Sequence, residues 1–291
     1  MSATLGQTAQ ISPPSTLRIH APGSLRAALT DLARAFEAAQ PGSVLALSFG
    51  ASGLLKDRIA AGEANDVFAS ANMAHPQALA AGGGYAAVQR FARNTMCVLA
   101  RPGLDVSPAA VLDRVLDPAV TLGTSTPRAD PSGDYAWQVF DRIEADGRPG
   151  AAAALKARAR QLTGGPASPP PPEDRSVYGQ LVAQGAADLF IAYCTATVQA
   201  VRENAGQQSQ PLPERVNVAA DYGLTVRQGA PEAARSRIDS KKSRKKDDSS
   251  RHHKSSHSKS SSSSRRHDSS DDSSEVCARP VAEREAERAA D

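Results

Sequence analysis

The chain is poor in aromatic residues and cysteine, and it has no long apolar run. Phe, Tyr and Trp make up 4% of 291 residues, and Cys occurs three times. No run of 18 apolar residues occurs, so no segment reads as a membrane-spanning helix. Cys97, Cys194 and Cys277 are odd in number, far apart and without metal-ligand spacing. That excludes a disulfide scaffold, and Cys97 and Cys194 read as small buried hydrophobes. Residues 1–16 lack both a basic segment and the apolar core of a secretory signal, so the chain as written is expected to stay in the cytoplasm. Before residue 235 there are only two Lys, Lys56 and Lys156, and two His, His20 and His75. A Ser-His-Asp triad therefore has few candidates. His20 reads as structural packing in a strand, and His75 as a surface residue at a helix start. Walker A, G-x-G-x-x-G and G-x-S-x-G sequences are missing as well.

The formal charge of +3 divides unevenly. Residues 1–234 carry 19 basic and 20 acidic side chains, and residues 235–291 carry 15 and 11. The tail holds only three residues from the Val/Ile/Leu set and no aromatic, with 17 Ser between 236 and 274. So little apolar surface cannot offset the ~1–2 kcal/mol per residue of backbone ordering entropy, so 235–291 is expected to be disordered. Its Lys241–Lys246 run offers the one plausible contact with nucleic acid, an electrostatic one, with a plain solvated linker as the alternative.

From 17 to about 230, short apolar runs alternate with helical patterns. Strands are expected at 17–21, 44–49, 66–70, 95–100, 120–123, 188–193, 216–218 and 222–226. Helices are expected from Ser24, over 52–61, 74–81, from Ser132, and over 151–161, 176–184 and 195–204. In the first helix Leu25, Ala28, Leu29, Leu32 and Phe36 form one stripe expected to be buried. The βαβαβα order implies an α/β fold with mostly parallel strands and right-handed crossovers.

Small hydroxyl residues recur where strands give way to helices. Pro22-Gly23-Ser24, Gly50-Ala51-Ser52-Gly53 and Pro131-Ser132-Gly133 all have this form. A helix start presents unpaired N–H groups and a partial positive charge. Several converging at the carboxyl ends of parallel strands make an anion site without Lys or Arg. Each serine alone is more simply a helix cap. Asp130 and Asp134, flanking Ser132, read as carboxylates serving the helix dipole.

Four stretches carry a family resemblance: APGSLRAALTDLARAFE (21–37), SFGASGLLKDRIAAGEANDVFASAN (48–72), GTSTPRADPSGDYAWQVF (123–140) and ADLFIAYCTATV (187–198). Together they resemble the molybdate-binding periplasmic protein of ABC transporters, a solute-binding protein. The resemblance implies a two-lobed periplasmic-binding-protein fold, with mixed, mostly parallel sheets and helices on both faces. Lobe 1 would comprise 17–94 and 219–234, and lobe 2 would comprise 95–218. It further implies oxyanion contacts from Ser24, Ser52, Ser132 (through its amide), Val177 (through its N–H) and Tyr193 (through its hydroxyl). The implied function is capture of molybdate or tungstate, with no enzymatic step, no metal and no cofactor. The partners would be the small oxyanion and a transporter permease, for a monomer in the periplasm. Two alternatives stay open: a cytoplasmic oxyanion sensor on the same fold, or a chimeric chain dominated by its basic tail. Where the family continues with apolar helices, this chain enters its tail, so lobe 1 is expected to expose apolar surface.

Overall fold

A computed structural model describes residues 16–172, 175–231 and 234. Expectations for 1–15 and for the tail from 235 lie outside the described residues. The chain divides into one unit over Met1–Ser243, described below, and a second, Arg244–Asp291, outside the described range.

Three strand–helix pairs open the fold: β1 (Thr16–Pro22), α1 (Arg26–Ala39), β2 (Val44–Gly50), α2 (Ser52–Ala60), β3 (Val67–Ser70) and α3 (Ala74–Ala81). They fall within a few residues of expectation because their apolar periodicity is local and strong. The long β4 (Gln89–Ala100) follows. Next come α4 (Val111–Leu116), β5 (Leu122–Ser125), α5 (Pro131–Ala145), α6 (Ala151–Arg158) and β6 (Arg160–Thr163). The remainder is α7 (Val177–Ala183), β7 (Leu189–Tyr193), α8 (Cys194–Glu203), β8 (Gln208–Pro211) and β9 (Ala219–Val226).

The strand order is β2-β1-β3-β9-β4-β7-β5-β6, with β8 also paired to β4. β1 runs parallel to β2 and β3, and β5 runs parallel to β6 and β7. β9 is antiparallel to both β3 and β4. β4 serves two neighbourhoods: Gln89–Thr95 pairs with β9, and Met96–Ala100 pairs with β7 and β8. The mixed α/β architecture therefore matches the expected fold class.

The largest apolar cluster lies under β4, β5 and β7, where Met96, Val98, Phe140, Ile143 and Ile191 are fully buried. A second cluster, with Leu17, Ile19, Ala33 and Leu45, lies between α1 and the β1–β2 pair. Here one expectation fails. The α1 stripe is not buried: Leu29 and Phe36 are partly covered, and Leu32 is 44% exposed. Val44 on β2 is 49% exposed. Apolar side chains are therefore exposed on this side.

The expected strand at 216–218 is instead a turn and coil. The Asn217 side chain takes a strand's place there. Its Oδ1 accepts from Met96 N at 2.9 Å, and its Nδ2 donates to Met96 O at 3.0 Å and Leu212 O at 3.1 Å. Buried backbone groups of β4 are thus satisfied without a ladder. His75 is half-buried with its Nε2 enclosed, not a surface residue, and burial lowers its pKa. His20 packs as expected, 4% exposed, its Nε2 at 2.8 Å from Glu63.

Cys97 and Cys194 are not free thiols. They form a disulfide across 97 residues of sequence. Pairing of β4 with β7 sets Cys97 opposite Ala192, two residues before Cys194. Only that register makes the bridge possible.

Candidate functional site

The strands deliver small polar residues to their carboxyl ends. β1 ends at Pro22, and a 3₁₀ turn over Gly23–Leu25 carries Ser24. β2 ends at Gly50, and Ser52 is the first residue of α2. β5 ends at Ser125, and a short loop leads to Pro131 and Ser132 at the start of α5. Tyr193 is the last residue of β7, and Val177 the first of α7.

Three of these five residues meet in a tyrosine-lined cluster. Ser24 Oγ lies 3.0 Å from Tyr222 Oη. The Tyr222 and Tyr193 ring centroids are 5.7 Å apart, and those of Tyr193 and Tyr135 are 6.3 Å apart. Tyr178 of α7, packed on Phe190, lies beside Ser132 and Ser125. No hydrogen bond joins Ser52 or Val177 directly to the other three among the described residues.

Ser52 is fully buried, and its Oγ accepts from Ala71 N at 3.1 Å, which leaves its hydroxyl hydrogen for another acceptor. Its neighbour Gly53 donates N–H to Ala129 O at 2.9 Å. A Cβ at Gly53 would stand 2.5 Å from Arg128 O and 2.6 Å from Ala129 O, so only glycine permits this approach. α2 is thereby docked against the loop that precedes Ser132. Val177 begins a helix capped by Ser176, whose Oγ accepts from Gly179 N at 3.3 Å.

The amide of Ser132 differs from expectation. It donates to Asp130 Oδ1 at 3.0 Å, in a helix cap, and so is already engaged. The Ser132 hydroxyl remains as a donor, with Tyr178 beside it. Ser132 Oγ, Ser125 Oγ, Thr124 Oγ1 and Tyr193 Oη are buried and make no hydrogen bond within 3.5 Å among the described residues, although Tyr178 faces both serines, Asp130 faces Ser125 and Tyr222 faces Tyr193 at longer range. Buried hydroxyls without partners are uncommon and costly, and such a set invites an acceptor.

The electrostatics are those of neutral donors around one acid. Burial pushes the Tyr222 and Tyr135 hydroxyls up to about 12. Burial, followed by Tyr222 and Asp130, raises Tyr193 well above the usual tyrosine range. These phenols keep their protons at neutral pH. The Asp130 carboxyl is pushed up to about 6, chiefly by burial, against the lowering effect of the Ser132 amide and the Ser125 hydroxyl. Asp130 is partly buried, with the Gly164 backbone close to its Oδ2. The leading influences on Asp130, Tyr178, Tyr193 and Tyr222 are burial and neighbouring hydroxyl, phenol and carboxyl groups. Tyr135 also lines a cavity of 570 Å³, with Asn72, Asp134, Trp137 and Asp221 on its walls.

The sequence model of the bacterial extracellular solute-binding proteins matches residues 17–238. The chain belongs to this family. An uncharacterised protein of Pasteurella multocida is 36% identical over 211 residues, which cover 72% of this chain and 86% of the relative. Solved solute-binding structures share the fold at low identity. The periplasmic molybdate-binding protein of Azotobacter vinelandii superposes with TM-score 0.58 and 20% identity, over 76% of this chain and 90% of its own. The sulfate-binding protein SubI of Mycobacterium tuberculosis gives TM-score 0.60 and 15% identity, over 76% and 78%. The substrate-binding domain of a molybdenum transporter protein from Clostridium difficile gives 0.52 and 19%, over 75% and 88%.

Tyr222, Tyr178 and Asn94, whose Nδ2 donates to Thr195 Oγ1 at 2.8 Å, lie in or beside the tyrosine cluster and were not singled out by any local sequence motif. Asp130 was legible only as a dipole partner. Its place among the tyrosines follows from packing between β5, β7 and β9, which no local motif announces.

Proposed function

We propose that this solute-binding protein captures a tetrahedral oxyanion, molybdate or tungstate, between two lobes and delivers it to an ABC-transporter permease. Lobe 1 is residues 17–94 with 219–234, and lobe 2 is 95–218. The ligand donors are Ser24, Ser52, Ser132 and Tyr193 through their hydroxyls, with the Val177 amide at the start of α7. The observation that carries this reading is the buried Ser132 and Tyr193 hydroxyls, which make no close hydrogen bond among the described residues and face only neutral phenols, Tyr178 and Tyr222. An oxyanion supplies the acceptors these groups need, and hydrogen bonds to a charged partner are about twice as strong as neutral ones.

Capture involves no covalent step. Ser52 and Ser24 approach from one lobe, and Ser132 and Tyr193 from the other. Only the closed form engages both sets, so ligand binding favours closure by that difference in contacts. The Cys97–Cys194 disulfide supports work in an oxidising compartment, the periplasm, over a cytoplasmic sensing role.

Calorimetric titration of the whole chain with molybdate, tungstate and sulfate tests the reading. Binding of the first two with weaker or no binding of sulfate is expected. A folded chain that binds none of the three overturns it.

A further inference from the structure

Ser24 differs from the other proposed hydroxyl donors in being bonded to a second hydroxyl. Its Oγ lies 3.0 Å from Tyr222 Oη, and on distance alone either oxygen could be the donor. The direction is set further along. Asn94 Oδ1 accepts from Thr95 N at 3.0 Å, which fixes the amide so that Nδ2 faces the other way. Nδ2 is a donor only, and it serves Thr195 Oγ1 at 2.8 Å and, at a longer 3.5 Å, Tyr222 Oη. The phenol oxygen therefore accepts from Asn94. Among the described residues, Ser24 Oγ is the one acceptor within hydrogen-bond distance of the phenol's own hydrogen. The ring cannot swing away: Tyr222 is 2% exposed, with Phe91 edge-on at 6.2 Å and Tyr193 at 5.7 Å between centroids. With Tyr222 donating to its oxygen, Ser24 keeps its hydrogen for another acceptor. The four residues come from distant parts of the chain: Ser24 follows β1, Tyr222 lies on β9, Asn94 on β4 and Thr195 on α8. β9 and β4 pair with each other, and between them they connect β3 to β7.

We propose that Tyr222 and Asn94 are positioning residues of the anion site, which hold the Ser24 hydroxyl so that it donates to the ligand and not to the protein. This rests on the oxyanion reading above and gives two further residues a part in it. A serine hydroxyl is otherwise a rotor that turns to suit any neighbour. Holding its oxygen from behind removes that freedom before the anion arrives, and each bond in such a chain polarises the next.

The test is calorimetric titration of the whole chain with sodium molybdate and sodium tungstate, for wild type, Ser24→Ala, Tyr222→Phe and the double variant. Tyr222→Phe is expected to weaken binding about three- to tenfold, since the ligand must then order a free hydroxyl rotor that nothing polarises. In the Ser24→Ala chain the same change should have no effect, because no hydroxyl is left to orient. Asn94→Leu should weaken binding in the wild-type background and leave the Tyr222→Phe chain unaltered. A tyrosine that only supports the fold would lower affinity by the same factor with or without Ser24. That outcome, or an unchanged affinity in Tyr222→Phe, overturns the inference and leaves the oxyanion reading standing. So does a loss from Asn94→Leu that persists in the Tyr222→Phe chain. A wild-type chain that binds neither anion overturns the reading on which this one rests, and this one with it.

Discussion

Gly53 donates its amide N–H to the carbonyl of Ala129 at 2.9 Å, which fastens the start of α2 to the loop before α5. The contact joins the β1–β3 side of the sheet to the β5 side beside Ser52 and Ser132. It needs an absent side chain at Gly53, because the obstacles are backbone carbonyls that cannot swing away.

Gly53→Ala should therefore break this contact without unfolding the chain, since alanine is at home in the first turn of a helix. Molybdate affinity is expected to fall at least tenfold, and small-angle scattering should show a larger radius of gyration than wild type. An unchanged radius with unchanged affinity would show that the contact has no part in closure.

Tyr193→Phe removes a buried hydroxyl that makes no hydrogen bond within 3.5 Å among the described residues and has Tyr222 as its longer-range neighbour. Stability without ligand should stay level or rise slightly, because an unsatisfied polar group disappears. Anion affinity should fall by about 1–3 kcal/mol for the lost donor to a charged ligand. Chemical denaturation and titration of the same variant separate the two effects. A large loss of stability would instead mark the hydroxyl as part of the core's own bonding.

Opening the Cys97–Cys194 bridge frees a loop spanning 97 residues. Its loss should cost about 2–5 kcal/mol of stability, mainly by enlarging the unfolded ensemble. Urea unfolding with and without a reducing agent measures this. Because Cys194 directly follows Tyr193, reduction is also expected to weaken molybdate binding. Equal unfolding midpoints in both conditions would show that the bridge contributes nothing.

The Asp130 carboxyl sets a pH dependence in the unliganded protein. Its pKa in the fold, about 6, lies above the ordinary carboxyl value of 3.8. Stability from this group is fully present below the lower value and is lost as pH rises through the higher one. Asp130→Asn should thus raise stability at pH 7.5 by about 1–2 kcal/mol, with little effect near pH 4. Thermal unfolding of both proteins at the two pH values checks the sign.

The elements β1 through α3 were legible because each carries a local apolar period, and residues only a few positions apart decide it. β4 was legible only from Thr95. Its first half, Gln89–Arg93, is polar and pairs with β9, so no apolar run marks it as strand. β8, with the sequence QSQP, was missed for the same reason. The serines at helix starts were visible as local strand–Gly/Ser–helix sequences, yet none of Ser24, Ser52 and Ser132 is the cap expected of it: Pro22, Ala51 and Asp130 hold those positions, and Ser24 and Tyr193 meet at Tyr222.

The sequence by itself determined the α/β class and the order β1 through α3, the likeness to solute-binding proteins and the neutral, hydroxyl-rich character of the strand ends, but not α4, β6 or β8. Only the tertiary structure decided that Cys97 meets Cys194, that Tyr222 reaches Ser24 across 198 residues, and that Asp130 takes the Ser132 amide inside a ring of phenols. The difference is physical. Periodicity and capping act between near neighbours in the chain. Burial, pKa and bridge formation depend on which strands lie side by side, and that follows from the order β9-β4-β7-β5.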